Sequence, residues 1–238
     1  MPNPDDASSV PHIPLFEAIY TARAMRWLKP DPVPQQLIEQ ILNAAIQAPN
    51  AGNRQNWLFT VVRDQEQRRR IGAIYRKVSQ WVLTRYKNQG KPEWQSQAEY
   101  DHMMAGGVHL YDHMGDAPVL LIPCLRIAPT TLPEEIPADI RAAMTSAYPW
   151  TAGASIYPAV QNIILACRAL GLGTLITTNH TIAEDEIKSV LGLPPEVRTF
   201  ALMPIGYPEK NFGPVKRKPL REVAMLDRYG NPFPPFGS

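Results

Sequence analysis

Proline is the residue type that most restricts how this chain can fold. The 238 residues include 25 prolines, about twice the usual share of roughly 5%. Proline lacks a backbone N–H and pushes the residue before it towards extended geometry, so helices and central strands have to run between the prolines. Pro30, Pro32 and Pro34 therefore predict a non-helical connector. Pro49 predicts the end of a helix at a loop rich in turn residues.

Hydrophobic spacing between the prolines indicates a mixture of helices and strands. Helical spacing covers residues 15–23, 35–48, 65–100, 155–170 and 184–191, whereas the runs at 57–62, 117–125, 173–178 and 197–206 are typical of buried strands. Because these elements do not alternate in a strict βαβ rhythm, the sequence predicts an α+β fold. The helix at 155–170 is apolar on nearly every side, which indicates burial in a core or at a subunit interface.

The composition is that of an ordinary globular protein, with 45% hydrophobic residues, two cysteines and a formal net charge of +2. So small a charge argues against broad electrostatic binding to nucleic acid or to a membrane surface. The apolar runs fall far short of the roughly 18 residues that span a bilayer. Residues 1–14 have the character of a flexible arm without the apolar core of a secretory signal. The expected location is therefore cytoplasmic.

Polar side chains gather at loops and in the tail of the chain. They are Arg23 and Arg26 after the first helix, Asn50, Asn53 and Gln55 before a strand, Thr177, Thr178 and Asn179 at a strand end, and the basic residues 216–218. Guanidinium groups match the geometry of a phosphate, and amides and hydroxyls suit a polar heterocycle. Together these groups predict a pocket for a phosphorylated cofactor. Each group alone is equally typical of a solvated helix end, a capped loop or an exposed tail.

Other motifs that carry chemistry are missing or incomplete in the sequence. His109 and His113 are spaced as metal ligands on a helix can be, but no clear third ligand accompanies them. The sequence contains no complete dinucleotide fingerprint, Walker lysine motif or Gly-x-Ser-x-Gly elbow. Neither a metal site nor a catalytic side chain is therefore predicted.

Four segments follow one another in a recognisable order. Residues 22–28 read Ala-Arg-Ala-Met-Arg-Trp-Leu and precede Pro-Val-Pro at 32–34, and residues 48–57 read Ala-Pro-Asn-Ala-Gly-Asn-Arg-Gln-Asn-Trp. An apolar helix runs into Gly-Leu-Gly-Thr at 171–174 and the Thr-Thr strand end at 177–178, and Pro-Ile-Gly-Tyr-Pro at 204–208 precedes Arg-Lys-Pro-Leu at 217–220. In this order and spacing, the segments resemble the signatures of the FMN-dependent nitroreductase superfamily over about residues 19–229.

The resemblance implies a nitroreductase-like sandwich, with a central, mostly antiparallel sheet flanked by helices, in an intertwined homodimer with an extended C-terminal arm. It implies one FMN-binding domain over residues 15–238, in which residues 126–150 form a substrate-cover loop and residues 210–238 an extended tail. NAD(P)H would reduce FMN at the subunit interface, and a nitroaromatic, quinone or similar conjugated acceptor would then enter the same site in a ping-pong sequence. A reductive dehalogenase, an azoline dehydrogenase, a flavin destructase-like enzyme and a flavin store or sensor without turnover remain alternatives.

Site residues follow from the resemblance by motif position. The expected FMN-phosphate ligands are Arg23, Arg26 and Arg217, with Ala24 standing where the family has a serine. The residues expected to approach the ring and ribityl chain across the subunit interface are Pro49, Asn50, Ala51, Asn53 and Gln55, and those expected at the pyrimidine edge are Thr177, Thr178 and Asn179. Tyr148 and Trp150 either stack over a flat acceptor or pin the loop to the core. Because the flavin, through its N5 atom, carries the redox chemistry, no side chain is expected to be catalytic.

Overall fold

A computed structural model describes residues 13–127 and 132–234 of the chain, so all but the last two residues of the expected arm at 1–14 lie outside it. The helices are α1 (Leu15–Thr21), α2 (Gln35–Ala45), α3 (Gln65–Gln89), α4 (Gln97–His113), α5 (Ala138–Ala152), α6 (Tyr157–Ala169), α7 (Glu184–Leu191) and α8 (Leu220–Val223). The strands are β1 (Trp57–Val62), β2 (Val119–Arg126), β3 (Gly173–Thr174), β4 (Val197–Thr199) and β5 (Met203–Gly206).

The five strands form one antiparallel sheet with β2 at its centre. The order is β1-β2-β5-β3, and β4 pairs with β2 beyond the end of β5. Side chains of β2 alternate between two faces, so that Leu121 and Leu125 pack with α2 and α6, and Ile122 and Cys124 pack with α3, α4 and α7. Helices therefore cover both faces of the sheet, and the predicted α+β sandwich is confirmed.

Pro123 accounts for the division of the strand predicted over 197–206. Leu121 lies opposite Met203 and Cys124 opposite Thr199, so two residues of β2 face three residues of the neighbouring strand. This is a one-residue β-bulge. The carbonyl of Pro123 accepts a hydrogen bond from the Phe200 N–H at 2.9 Å, so its missing N–H faces the same strand. Because no donor is present there, the ladder breaks into β4 and β5.

A second proline interrupts the strand predicted over 173–178. Beyond β3, Thr177 exchanges two backbone hydrogen bonds with Leu202, of 3.1 and 2.9 Å, in the register that β3 and β5 already have. Leu175 faces Pro204 in that register, and Pro204 has no N–H to donate. The predicted strand therefore keeps its direction but is paired only at its two ends, and Thr177 is fixed at the second of them.

The helix predicted over 65–100 is two helices, α3 and α4. Gly90, with φ 72°, ends α3, and Ser96 begins α4 with a capping box. The Ser96 hydroxyl accepts from the Glu99 N–H at 3.3 Å, while the Glu99 carboxylate accepts from the Ser96 N–H at 2.8 Å. Two backbone donors at the helix start are satisfied in this way.

The expectation of an irregular loop over residues 126–150 is wrong for the second half of that segment. Helix α5 begins after Pro137, whose φ of −51° and ψ of 143° place it just outside the helix. The prolines at 133 and 137 thus precede the helix, whereas Pro149 lies within its last turn, against the expectation that helices run between prolines. Ile140, Met144 and Tyr148 lie four residues apart on α5, and each is 44 to 49% exposed.

Two smaller findings bear on the sequence analysis. Neither Cys124 nor Cys167 forms a disulfide, and both are fully buried. Burial raises the pKa of the Cys124 thiol to about 12 and that of Cys167 well above its ordinary range. Both cysteines are therefore packed as small hydrophobic residues. No helix in the described part of the chain is long and apolar enough to cross a membrane.

Candidate functional site

Two predicted phosphate ligands, Arg23 and Arg26, line one cavity of about 200 Å³. The remaining lining residues are Ala24, Met25, Trp27, His102 and Lys210. The loop that carries the arginines is tied to the sheet, because the Met25 N–H donates to the Thr174 carbonyl at 3.1 Å. Four basic side chains and no carboxylate therefore surround the cavity.

The positive charge of this cavity is not neutralised by neighbouring acids. Across residues 13–127 and 132–234, the ion pairs of the protein include none of Arg23, Arg26 and Lys210. Burial lowers the pKa of Arg26, while Tyr75 and Tyr111 act in the opposite direction. A guanidinium remains protonated at neutral pH even so. The cavity is consequently suited to an anion.

A glycine of α4 makes room for this cluster. A Cβ atom added at Gly106 would lie 3.0 Å from Cδ of Arg26 and 3.3 Å from the Trp27 ring. The adjacent Gly107 is less confined, because a Cβ there would meet its nearest neighbour at 3.6 Å. Gly106 thus allows both Arg26 and Trp27 to lie against the helix.

Lys210 and His102 are site residues that the sequence analysis missed. The Lys210 ammonium lies 3.8 Å from the centroid of the Trp27 ring, and the His102 ring stacks on Trp27 at 5.9 Å. Both reach the cavity only because α4 and the chain after β5 fold against the arginine loop. The one sequence signal is the position of Lys210 directly after Pro-Ile-Gly-Tyr-Pro-Glu.

Arg217, the third predicted phosphate ligand, does not line the cavity. It is exposed, and its guanidinium donates to the Lys216 carbonyl at 2.9 Å. The Lys216 ammonium pairs with the Glu99 carboxylate at 2.8 Å, which attaches the tail to the start of α4. A phosphate contact from Arg217 stays a prediction.

The strand end predicted at the pyrimidine edge faces α3. The Tyr75 hydroxyl and the Thr177 hydroxyl lie 2.9 Å apart, and the Asn179 side-chain amide donates to the Ser79 hydroxyl at 3.2 Å. Thr178 is exposed between them. Tyr75 and Ser79 were not singled out from the sequence, because their spacing of four in a helix is equally typical of core residues.

The loop at 49–55 is ordered by its own side chains. Asn50 Oδ1 accepts from the Gln55 N–H at 2.9 Å, and the Ala51 N–H donates to the Ser155 hydroxyl at 3.2 Å. Asn53 and Gln55 have φ values of 50° and 49°, and such strained backbone is often found at functional sites. None of residues 49–55, Pro49 included, lines the arginine cavity, so their role across an interface stays a prediction.

The remaining predicted residues are less informative. Tyr148 lies on α5 and is 44% exposed, whereas the Trp150 side chain falls outside the described part of the structure. The His109 and His113 rings stack at 4.4 Å, and His113 Nδ1 lies 2.8 Å from the Asp116 carboxylate. Among the described residues, no group of three potential metal ligands comes together.

Comparison with known proteins assigns this arrangement to a family. A protein of Methanothermobacter thermautotrophicus, provisionally named an NADH dehydrogenase/NAD(P)H nitroreductase, is 31% identical over 202 residues, which are 84% of this chain and 80% of that protein. A BluB-like flavoprotein from Clostridium difficile 630 has a TM-score of 0.69 at 23% identity, with 91% of this chain and 100% of that chain covered. Oxidized iodotyrosine deiodinase bound to FMN and 3-iodo-L-tyrosine has a TM-score of 0.64 at 18% identity, with 90% and 99% covered.

A model of the nitroreductase family matches residues 19–207. The match begins within α1 and extends just past β5, so it includes the arginine loop, the whole sheet and the strand end at Thr177. With most of its length covered in this way, the chain belongs to the nitroreductase family of flavin oxidoreductases.

Proposed function

We propose that the protein is an FMN-dependent oxidoreductase that takes electrons from NAD(P)H and passes them to a nitroaromatic, quinone or similar conjugated acceptor. The observation that carries this proposal is the cavity with four basic side chains and no carboxylate. A phosphate monoester is the anion that planar guanidinium donors match best. At about 200 Å³, the cavity is smaller than the 300 Å³ or more typical of whole-ligand pockets, so it fits the phosphate end of the cofactor.

The chain offers separate groups for each part of FMN. Arg23 and Arg26 would hold the phosphate as multiple donors, and Lys210 would add a point charge. Thr177 and Thr178 lie at the strand end that follows the apolar strand and offer hydroxyl groups to a polar ring edge. When bound, FMN supplies the redox chemistry. The side chains of this protein then need only bind the ring, orient it and limit the access of water.

A homodimer is part of the proposal. In the single chain, α1 exposes Leu15, Phe16, Ile19 and Tyr20 to between 40 and 67%, and Ala18 is its one buried residue. Adjoining exposed apolar residues of this kind favour a protein interface. A second copy would also bring the ordered loop at 49–55 towards a cofactor held by the first. The relative named as an NAD(P)H nitroreductase and the FMN-bound deiodinase structure support the choice of cofactor and reductant.

The test begins with the purified protein. We expect a yellow preparation that releases FMN on heating, elutes as a dimer in light-scattering chromatography, and oxidises NADH or NADPH when menadione or nitrofurazone is added. Arg26→Ala should weaken FMN binding about 10- to 150-fold, since it removes a charge-assisted contact of about 1.5–3 kcal/mol. Arg221→Ala, on the exposed face of α8, is the matched control. A colourless protein that added FMN neither binds to nor stabilises would refute the proposal.

Reductive dehalogenation is a second candidate for the same cofactor. It is favoured by the structural likeness to iodotyrosine deiodinase with FMN and 3-iodo-L-tyrosine bound. Release of halide from a halogenated phenol by the reduced protein, faster than reduction of menadione, would favour this activity. Bound FMN with no oxidation of NAD(P)H by any acceptor would instead favour a flavin store.

A further inference from the structure

A buried polar cluster joins α3 to the strand end. Tyr75 and Ser79 lie one helical turn apart on the inner side of α3, with exposures of 1% and 0%. The Tyr75 hydroxyl is 2.9 Å from Thr177 Oγ1, and the Asn179 amide donates to Ser79 at 3.2 Å. Two polar side chains of the strand end, at positions 177 and 179, are therefore held by two hydroxyls of one helix.

The surroundings of Tyr75 favour one direction of the Tyr75–Thr177 hydrogen bond. Arg26 is close enough to Tyr75 for its positive charge to stabilise negative charge on the phenol oxygen. The 2.9 Å distance fits a hydrogen bond in either direction. Because the side chains of Ser79 and Asn179 also approach the Tyr75 oxygen and Arg26 favours negative charge there, the arrangement with Tyr75 as donor to Thr177 leaves all of these contacts satisfied. Thr177 Oγ1 also accepts from the Asn179 N–H at 3.5 Å.

With two donors directed at it, Thr177 has both acceptor positions of its hydroxyl in use, and only its own proton is left to donate. Thr177 is partly exposed, whereas Tyr75 is buried. The free proton therefore points towards the open side of the strand end. A ligand atom that meets it has to be an acceptor, such as a carbonyl oxygen or an unprotonated ring nitrogen.

We propose that Tyr75 is a positioning residue that fixes the Thr177 hydroxyl as a hydrogen-bond donor to an acceptor atom of the bound isoalloxazine ring. This inference rests on the proposed function. A donor at that atom stabilises the more electron-rich, reduced ring more than the oxidised ring, because the bond strengthens as negative charge grows on the acceptor. Tyr75 would thus influence both the affinity for FMN and its reduction potential.

The test measures FMN binding and the midpoint potential of bound FMN in four variants. Tyr75→Phe and Thr177→Val should each weaken FMN binding about three- to tenfold, as expected for one hydrogen bond, and should lower the midpoint potential. The double variant should be no worse than Thr177→Val alone, since both changes remove one interaction. Thr177→Ser, which keeps the hydroxyl, should restore the wild-type potential.

Tyr111→Phe is the matched control. Tyr111 packs edge-to-face against Tyr75 at 5.9 Å and is also influenced by Arg26, but within the described part of the chain its hydroxyl does not bond to the strand end. Its loss should change the affinity for FMN by no more than about twofold and should leave the midpoint potential unchanged. If wild-type protein binds FMN and Tyr75→Phe leaves both affinity and potential unchanged, the inference is wrong and the proposed function stands. Wild-type protein that binds no FMN overturns both.

Discussion

A buried histidine should make the folded chain lose stability as the pH falls from 7.5 to 5. His180 lies in the 3-10 turn Asn179–Ala183, directly after the strand end, and is fully buried. Neither ring nitrogen makes a hydrogen bond of good geometry among the described residues, although the Thr177 backbone is near enough to favour the protonated form. Burial lowers the pKa of His180 to about 4, although the nearby Glu184 carboxylate acts in the opposite direction. The native state therefore holds this imidazole neutral.

The sign and size of the effect follow from the two pKa values. The unfolded chain binds the proton near the ordinary pKa of about 6.5, and the folded chain only near 4. The stabilisation is fully present above pH 6.5 and is lost as the pH falls towards 4, because the unfolded state then binds more protons. Each pKa unit corresponds to about 1.4 kcal/mol, which gives a total loss of about 3 kcal/mol and a loss of about 2 kcal/mol between pH 7.5 and 5.

Urea unfolding followed by tryptophan fluorescence at pH 7.5, 6.5, 5.5 and 5 measures this loss. His180→Leu preserves the volume and cannot titrate, so its stability should fall by about 2 kcal/mol less than that of the wild type over the same range. His109, whose pKa is also lowered by burial, titrates in both proteins and cancels in the comparison. Glu99, whose pKa is about 2, changes the stability only at pH values below the ordinary pKa of a glutamate, and these lie outside the range from pH 7.5 to 5. Equal pH dependence in the two proteins would refute the reasoning.

Two further predictions concern the arginine cavity, each with a matched partner variant. Gly106→Ala should weaken FMN binding about tenfold, because the added methyl group displaces the neighbouring arginine and tryptophan. Gly107→Ala, whose added Cβ would have no contact under 3.6 Å, should change FMN binding by no more than about twofold. Quenching of FMN fluorescence measures both affinities, and equal effects of the two variants would contradict the steric argument. Lys210→Ala should weaken FMN binding more than Arg217→Ala when both are titrated at low ionic strength, because Lys210 lines the cavity and Arg217 is exposed. A larger loss for Arg217→Ala would show that the tail moves onto the cofactor.

The sequence predicted the elements whose signals are local. The strand at 57–62 and the helix at 184–191 have the predicted bounds. A run of β-branched and aromatic residues marks the first and a glycine directly after the helix marks the second, and both signals come from residues close together in the sequence. The strand predicted over 117–125 lies at 119–126, whereas the strands predicted over 173–178 and 197–206 were interrupted by prolines on other strands. Pro123 splits the strand at 197–206, and Pro204 interrupts the one at 173–178. Hydrophobic periodicity carries no information about which residue lies opposite a given residue on the neighbouring strand. These breaks could therefore not be predicted from it.

The candidate site likewise contains residues with a local sequence signal and residues that only the fold brings together. Arg23 and Arg26 could be found because they lie three residues apart in a local motif, and they do line one cavity. Lys210 and Tyr75 join them only through tertiary packing, and a single lysine or a helical tyrosine has no distinguishing sequence pattern. The capping box at Ser96 shows a different kind of failure. Its Ser-x-x-Glu signal was present in the sequence, but the helical spacing on both sides concealed it.

The segment 173–177, which begins with the short strand β3, links the two halves of the proposed cofactor site. Thr174, the last residue of β3, accepts from the Met25 N–H through its carbonyl and so fixes the arginine loop, and three residues further along the chain Thr177 is fixed by its pairing with Leu202. Gly173 permits the first attachment, because a Cβ there would lie 2.9 Å from the Met25 Cβ. The distance between the proposed phosphate ligands and the strand-end hydroxyl is therefore set by one stretch of backbone. Since the ribityl chain that joins flavin phosphate to flavin ring has a limited reach, the proposed site requires this stretch to keep both groups within that reach.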